Sequence, residues 1–351
     1  MLIEGVFAAV TTPFYPDERV YFRKLEANVG RYSRTQLAGM VVLGSTGEAP
    51  VLNDNETSEV LRTAAEAASA EKVLIAGVNR ESLRSVIELA EFAAKCQYDA
   101  VLVRTPTYYS TQMTPQVVAN YFRAVADHSP LPVVLYNIPR CVPYQIPVEM
   151  VAELAHHPNI IAIKDSSGSL ERIQGIVEAT RNAPRRTVTV TSVFEAVTGR
   201  MSTTVVPQPA TFVSAGDLAG GPAIAVAPPA VPLKTRTREV GFQVLTGSAS
   251  IILASLEAGA AGAILGFGAC APEACYEVYF AWKDRDPGLA AEKQERIVKP
   301  SQRITAELGI AGVKYACDFN GYYGGYPRQP LLPLTSEQKT EIETLLAEIR
   351  N

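Results

Sequence analysis

Eight short apolar segments recur along this chain, each followed by a polar or glycine-containing loop and then by an amphipathic helical pattern. The segments are continuous apolar runs, which is typical of parallel strands buried on both faces. An open, doubly wound sheet rarely shows eight such even units, so the pattern predicts an α/β protein with a closed (β/α)8 TIM barrel. The predicted strands are Val6–Thr12, Gly39–Gly44, Val73–Ala76, Ala100–Arg104, Pro132–Tyr136, Ile160–Lys164, Phe242–Thr246 and Gly262–Gly266.

Helical patterns fill the intervals between these strands and continue after the eighth. Because several helical stretches follow the last strand, we expect a barrel over residues 1–283 and an additional C-terminal helical region over residues 284–351. The predicted helices include Glu56–Ala70, Ser82–Cys96, Pro115–His128, Pro147–Ala155, Ser169–Arg181 and Ser336–Ile349.

One stretch, at about residues 184–240, interrupts this rhythm and is rich in Pro, Ala and Val. Connections longer than about 12–15 residues are uncommon inside a compact barrel unit, and a Pro-rich composition favours extended chain. Three interpretations stay open: a tolerated surface insertion, a lid or oligomer contact, and translated non-coding sequence.

Composition and charge exclude several classes of partner. The net charge is −4 and no run of Lys or Arg stands out, which argues against nucleic acid and against an anionic membrane surface. No apolar run reaches the roughly 18 residues of a spanning helix, and the N-terminus lacks the pattern of a signal peptide. The five cysteines are scattered, so we expect reduced thiols in a cytoplasmic protein.

Lys164 is the most informative side chain, because the chemistry of such a barrel lies at the carboxyl ends of its strands. It follows a run of four apolar residues at the end of the sixth predicted strand. An ammonium held against apolar walls loses hydration, its pKa falls, and the neutral amine can attack a carbonyl. On position alone, a solvated lysine at the start of a loop is the more ordinary interpretation, so the neighbouring residues decide.

Tyr136 ends the adjacent strand and can reach the same mouth. A phenol acts as a general acid or base only within a hydrogen-bonded relay. Ser45 or Thr46, together with a second tyrosine, Tyr108 or Tyr109, can supply that relay. Taken singly, each tyrosine is more often a half-buried packing residue.

The turn Gly44–Gly47, after the second strand, offers backbone N–H groups and hydroxyls to a substrate carboxylate. It lacks the lysine and the spacing of a phosphate-binding loop. Glu48 and Asp165 are the carboxylates near the mouths, and neither has a histidine partner. We therefore expect no metal site and no other cofactor.

Several segments taken together resemble the dihydrodipicolinate synthase / N-acetylneuraminate lyase family of pyruvate-dependent class I aldolases. They cover most of the chain outside the insertion, which makes them more specific than any single motif. The resemblance implies a barrel with extra C-terminal helices, assembled as a dimer or tetramer. The matching segments are GVFAAVTTPF, GSTGE, AVLVRTPTYY, PVVLYNIP, HPNIIAIKDSSG, FQVLTGSASIILASLEAGAAGAI and PRQPLLPLT.

The resemblance also assigns roles to residues. Lys164 falls on the Schiff-base lysine and Tyr136 on the proton-shuttling tyrosine. Ser45 and Thr46 fall on the hydroxyl pair that binds the pyruvate carboxylate. Either Tyr108 or Tyr109 falls on the tyrosine that reaches into the neighbouring subunit's site. The expected substrate-binding residues are Gly44, Gly47, Arg140, Ser166, Gly247 and Ile264.

Two departures from the family pattern concern the second substrate. Synthases carry an arginine two residues beyond the proline of the YNxP segment, but here that position is Cys141, and Arg140 comes one residue early. The seventh strand ends in TGSAS, where synthases usually carry acidic residues. The chain looks more like 4-hydroxy-2-oxoglutarate aldolases, which it resembles in the segments TP-x-YY, VADHSPLPVVLY, FQVL-x-GSA and NGYYGG.

We therefore expect a Schiff-base aldolase that acts on a pyruvate-like 2-oxo acid and reversibly cleaves a 4-hydroxy-2-oxo acid. The first alternative is a dihydrodipicolinate synthase, which condenses pyruvate with aspartate semialdehyde. A deoxy sugar acid dehydratase and a non-catalytic barrel are the others.

Overall fold

A closed barrel of parallel strands forms the centre of the computed structural model, which describes residues 1–204 and 233–349. The strands lie around it in the order β1-β10-β9-β6-β5-β4-β3-β2, so the predicted (β/α)8 barrel is confirmed. Only β7 and β8, among the described strands, lie outside it. The strands are β1 (Gly5–Ala9), β2 (Gly39–Val42), β3 (Val73–Gly77), β4 (Ala100–Arg104), β5 (Val133–Asn137), β6 (Ile160–Asp165), β7 (Arg186–Thr191), β8 (Thr235–Val240), β9 (Gln243–Thr246) and β10 (Gly262–Leu265).

Helices cover the outside of the barrel and continue beyond it. A π-helical segment, Gln302–Glu307, joins the tenth and eleventh helices. The helices are α1 (Phe22–Ser33), α2 (Asp54–Ala67), α3 (Leu83–Lys95), α4 (Pro115–His128), α5 (Val148–Leu154), α6 (Leu170–Thr180), α7 (Gly199–Thr204), α8 (Ile252–Glu257), α9 (Pro272–Lys283), α10 (Pro287–Ser301), α11 (Gly309–Phe319) and α12 (Ser336–Leu346). The extra C-terminal helices are therefore present, while the division of the chain at residue 283 stays a prediction.

Each barrel strand is apolar on both faces, which explains the continuous apolar runs in the sequence. On β5, Val133 and Leu135 pack against the surrounding helices, whereas Val134 and Tyr136 belong to the cluster that fills the barrel interior. Alternate residues of a strand point to opposite faces, so every second side chain of β5 and β6 faces the barrel axis. This alternation selects which residues reach the mouth from inside.

The flanks of the insertion form two paired strands, which the sequence analysis did not predict. Strands β7 and β8 pair antiparallel, from Arg186 opposite Val240 to Thr191 opposite Thr235. The sequence analysis missed these strands because the Pro-rich centre dominates the composition of the stretch, so strand-forming residues such as Val190 did not stand out. That centre, residues 205–232, lies outside the described residues.

The described part of the insertion covers the amino-terminal face of the barrel. Val188 and Val190 of β7 pack on Leu2, which precedes β1. The N–H of Gly199 donates to Asp99 Oδ1, just before β4, at 2.9 Å. Lys164 lies at the carboxyl end of β6, so these flanks stand at the opposite face from it. They form no lid over the mouth.

In the part of the chain that the structure describes, no helix combines the length and the apolar character that crossing a bilayer requires.

Truncation of buried leucines should separate the barrel interior from the insertion contact. We expect Leu102→Ala, inside the barrel, to cost about 4 kcal/mol of unfolding free energy, because rigid strands prevent the cavity from collapsing. Leu2→Ala, beside β7, should cost about 2 kcal/mol. Urea unfolding measures both, with the exposed Leu332→Ala as control. A larger loss for Leu2→Ala would show that the insertion flank, not the interior, limits stability.

Candidate active site

Lys164 and Tyr136 lie side by side in the barrel interior. The register of β5 and β6 pairs them directly, and each is only 3% exposed. Lys164 Nζ lies 3.5 Å from the Tyr136 hydroxyl and 4.4 Å from the centroid of its ring. The distance is at the long end of the hydrogen-bond range, and catalytic hydrogen bonds often shorten when substrate binds. The amine is thus enclosed and faces a phenol, as the sequence predicts.

Ser45 extends this pair across the mouth to the turn after β2. Its Oγ lies 3.3 Å from the Tyr136 hydroxyl, and either oxygen can donate. The turn is anchored from below because Thr12 Oγ1 donates to the Gly47 carbonyl at 2.6 Å. An amine, a phenol and a hydroxyl therefore form one chain of polar contacts, the arrangement that proton transfer requires.

Thr46 and Gly44 complete the turn. Gly44 is buried at its start, and Thr46 is half-buried. Thr46 Oγ1 faces Gly266, just after β10: a Cβ on that glycine would lie 3.1 Å from it. The Thr46 hydroxyl therefore points across the barrel mouth, on the same turn as Ser45.

Asp165 fixes the ends of the two strands that carry the reactive pair. It is fully buried and accepts hydrogen bonds from Asn137 Nδ2 at 2.8 Å and from Arg172 Nε at 2.7 Å. Asn137 directly follows Tyr136, and Asp165 directly follows Lys164, so the bond between Asn137 and Asp165 ties the positions of Tyr136 and Lys164 together. Sequence reasoning did not assign this role to Asn137 and Arg172. One signal in the sequence could have identified Asn137: it directly follows Tyr136, just as Asp165 directly follows Lys164.

A cavity of about 270 Å³ lies at the carboxyl ends of β6 and β9 and brings together three of the predicted substrate-binding residues, whereas neither Lys164 nor Tyr136 lines it. Arg140 is exposed at its rim, where its guanidinium donates to the Ala306 carbonyl. Gly247 approaches Ser166 so closely that an added Cβ would lie 2.0 Å from Ser166 Oγ. The cavity lining is Arg140, Ser166, Ser167, Gly168, Gly247, Ser248, Ala249, Ser250, Phe267, Ser301, Gln302, Thr305 and Ala306. Its many hydroxyls suit a hydroxylated ligand.

Ile264 is completely buried on β10, in the same interior cluster as Tyr136. Its side chain therefore forms part of the apolar floor beneath the reactive pair.

Tyr108 and Tyr109 do not join the relay within one chain, which corrects that part of the expectation. They are 80% and 61% exposed, and their rings contact each other with centroids 5.1 Å apart. The reason is that their loop projects outward after β4, whereas Tyr136 lies inside the barrel. Within a single described chain, the polar contacts from Lys164 end at Ser45.

Glu81 holds the loop that carries these exposed tyrosines. Its carboxylate accepts hydrogen bonds from Thr107 N at 2.8 Å and Tyr108 N at 3.0 Å, and it pairs with Arg104 at 2.8 Å. Partial burial alone would raise the pKa of Glu81, but these hydrogen bonds prevail and lower it to about 2. The tyrosine pair thus projects from a fixed position. Sequence reasoning missed Glu81 because it lies in a different loop.

Across residues 1–204 and 233–349, no group of three or more His, Cys, Asp and Glu side chains could hold a metal ion.

Removing the partner of Asp165 should be costly. Arg172→Met leaves a carboxylate buried without its cation, so we expect a loss of about 3–5 kcal/mol in unfolding free energy. Arg181→Met, which breaks an exposed pair with Glu178, is the matched control and should change stability by about 1 kcal/mol or less. Chemical denaturation measures both variants. Equal effects would refute the importance of the Asp165 network.

Comparison with known protein families identifies the family to which the chain belongs. The Dihydrodipicolinate synthetase family model matches residues 2–186 and 231–349. The match leaves out residues 187–230, within the predicted insertion. The two matched ranges together cover most of the sequence, including every strand of the barrel.

Individual relatives match over nearly their whole length. The chain is 28% identical to a 4-hydroxy-tetrahydrodipicolinate synthase of Acidiphilium cryptum, covering 98% of both chains. It is 29% identical to an L-threo-3-deoxy-hexylosonate aldolase of Hypocrea jecorina, covering 97% of this chain and 93% of that one. A dihydrodipicolinate synthase structure from Bacillus anthracis has the same fold, with a TM-score of 0.78, 23% identity and 99% coverage of both chains. The chain therefore belongs to the Dihydrodipicolinate synthetase family and is a lyase of that family.

Proposed function

We propose that this enzyme is a class I aldolase that reversibly cleaves a 4-hydroxy-2-oxo acid through a Schiff base on Lys164. One observation carries the proposal. The enclosed amine of Lys164 lies 3.5 Å from the Tyr136 hydroxyl, which in turn lies 3.3 Å from Ser45 Oγ. A nucleophile, a proton carrier and a hydroxyl relay are thus in contact.

The first half of the reaction forms the imine. The neutral amine of Lys164 attacks C2 of the 2-oxo acid, whose carboxylate lies on the turn of Ser45 and Thr46. A proton passes from the attacking nitrogen to the C2 oxygen, which gives a neutral carbinolamine. Tyr136 delivers a second proton to that hydroxyl, water leaves, and the nitrogen lone pair forms the protonated imine. Splitting one difficult step into two easier ones is the advantage of covalent catalysis.

The second half of the reaction breaks the C3–C4 bond. The 4-hydroxyl loses its proton to Tyr136, the C3–C4 bond breaks, and its electron pair moves into the imine to give an enamine. The aldehyde fragment leaves. Protonation at C3 and hydrolysis of the imine then release the 2-oxo acid and restore the Lys164 amine. All electrons stay within the substrate and the imine, so the cycle needs no external oxidant or reductant.

The cavity at the carboxyl ends of β6 and β9 favours a hydroxylated substrate. Ser166, Ser248, Ser250 and Thr305 contribute hydroxyls to its lining. The similarity to the L-threo-3-deoxy-hexylosonate aldolase also supports an aldolase rather than a synthase.

A dihydrodipicolinate synthase is the second candidate, and a specific observation favours it. Arg140 lines the cavity despite its displacement by one residue, and a guanidinium there can bind the carboxylate of a second substrate. The similarity to named synthases points the same way. A deoxy sugar acid dehydratase is the remaining alternative that uses the same imine.

The proposal includes a homo-oligomer in the cytoplasm. The exposed Tyr108–Tyr109 pair, held by Glu81, is available to a second copy of the chain. All five cysteines are free thiols, as suits a reducing compartment.

Trapping of the imine tests the nucleophile. Borohydride reduction with pyruvate should place one adduct on the peptide that contains Lys164, as detected by mass spectrometry, and Lys164→Ala should abolish it. Tyr136→Phe should slow turnover by about 10²–10⁴-fold because the proton carrier is lost. An unmodified Lys164 under conditions that support turnover would refute the assignment.

A substrate panel tests the reaction. We expect cleavage of 4-hydroxy-2-oxoglutarate to exceed condensation of pyruvate with aspartate semialdehyde, because hydroxyls rather than carboxylates line the cavity near Gly247. Coupled assays of both reactions on the same preparation measure the ratio. Faster condensation would establish the synthase instead, and an adduct without any turnover would favour a ligand-binding barrel.

A further inference from the structure

We propose that Lys314, in the C-terminal helical region, is a positioning residue for the 2-oxo acid carboxylate. Its buried ion pair with Glu48 holds the turn that carries Ser45 and Thr46. The inference rests on the proposed function, because the turn binds a carboxylate only if that function is correct.

Glu48 ends the turn in an unusual backbone conformation. Its φ is 54° and its ψ is 31°, in the left-handed region that residues other than glycine rarely adopt. Its N–H donates to the Ser45 carbonyl at 3.1 Å, so a displacement of Glu48 is passed directly to Ser45. Such a backbone persists only where its surroundings hold it in place.

Lys314, on α11, holds Glu48 in this conformation. The residue is completely buried, and its Nζ contacts Glu48 Oε1. The same Nζ donates to the Tyr326 carbonyl at 2.8 Å and lies 4.2 Å from the centroid of the Phe14 ring. Burial lowers the pKa of Lys314, and the neighbouring Glu48 opposes this shift. Both charges are therefore buried, and neither is well solvated without the other.

The other carboxylate oxygen is held by the same region of the chain. Arg328 N donates to Glu48 Oε2 at 2.9 Å, and the Arg328 guanidinium binds Glu56 on α2 at 2.7 Å. The chain between α11 and Arg328 packs closely against α11. A Cβ added to Gly324 would lie 1.8 Å from the Lys314 carbonyl oxygen. The C-terminal helical region thus clamps the turn from behind, while Lys164 and Tyr136 stand on separate strands.

Loss of this clamp should weaken carboxylate binding and spare the reactive pair. In Lys314→Met, a side chain of similar length keeps the volume but leaves Glu48 without its cation. We expect the pyruvate concentration for half-maximal borohydride trapping to rise about tenfold or more, since displacement of a positioned group by an ångström costs up to about a hundredfold. The trapping rate at saturating pyruvate should fall by a smaller factor than the half-saturation concentration rises, because Lys164 and Tyr136 stay in place and only the Ser45 contact with Tyr136 moves with the turn.

Arg200→Met is the matched control for stability. Arg200 is a buried cation near Asp99 at the amino-terminal face, so its loss should lower the melting temperature without changing half-saturation. If Lys314 had only a structural role, Lys314→Met would likewise lower the melting temperature and leave the half-saturation concentration unchanged, and that result would overturn the proposal. Glu48→Gln, measured the same way, decides if Lys314→Met does not fold.

A double variant tests whether Lys314 acts through Glu48. In Glu48→Gln/Lys314→Met the rise should not exceed that of Lys314→Met alone, because both changes act on one contact. Multiplicative rises would show independent action and contradict the inference. If wild-type enzyme forms no adduct on Lys164, the proposed function itself fails. If wild type forms the adduct and Lys314→Met behaves like it, only the positioning role fails.

Discussion

The pairing of β5 with β6 is the constraint on which the site depends. Because Tyr136 stands directly opposite Lys164 in this register, and both face the barrel axis, a slip of one residue would turn one of them outward. The bond between Asn137 and Asp165, one residue further along, holds that register where the ladder ends. The reactive geometry is therefore a property of the backbone as much as of the side chains.

The parts of the structure that were predictable from sequence follow local patterns. Continuous apolar runs identify the barrel strands, and the end of each run locates Lys164 and Tyr136 at the mouth. The exposure of Tyr108 and Tyr109 could not be read in this way, because it depends on the direction of a loop. The flanks β7 and β8 were missed because six-residue strands gave a weaker signal than the Pro-rich sequence between them.

Contacts between distant parts of the chain were also beyond sequence reasoning. Glu48 has the appearance of a solvated loop carboxylate, and Lys314 that of an ordinary helical lysine. Only folding brings them together, because a charge enters the interior when a partner elsewhere in the chain neutralises it. The hydrogen bonds of Glu81, an exposed carboxylate, were equally hard to foresee, because their donors belong to the following βα loop.

The two buried lysines, Lys164 and Lys314, differ in whether a carboxylate pairs with the amine. Lys314 is locked to a carboxylate, whereas Lys164 has no carboxylate within ion-pair distance in residues 1–204 and 233–349, since both oxygens of Asp165 are engaged by other donors. Burial is common to both amines, so burial alone does not decide which of them the proposed mechanism can use. Lys314 holds a carboxylate in place, whereas Lys164 stands beside the Tyr136 hydroxyl, where the proposed mechanism brings an incoming carbonyl.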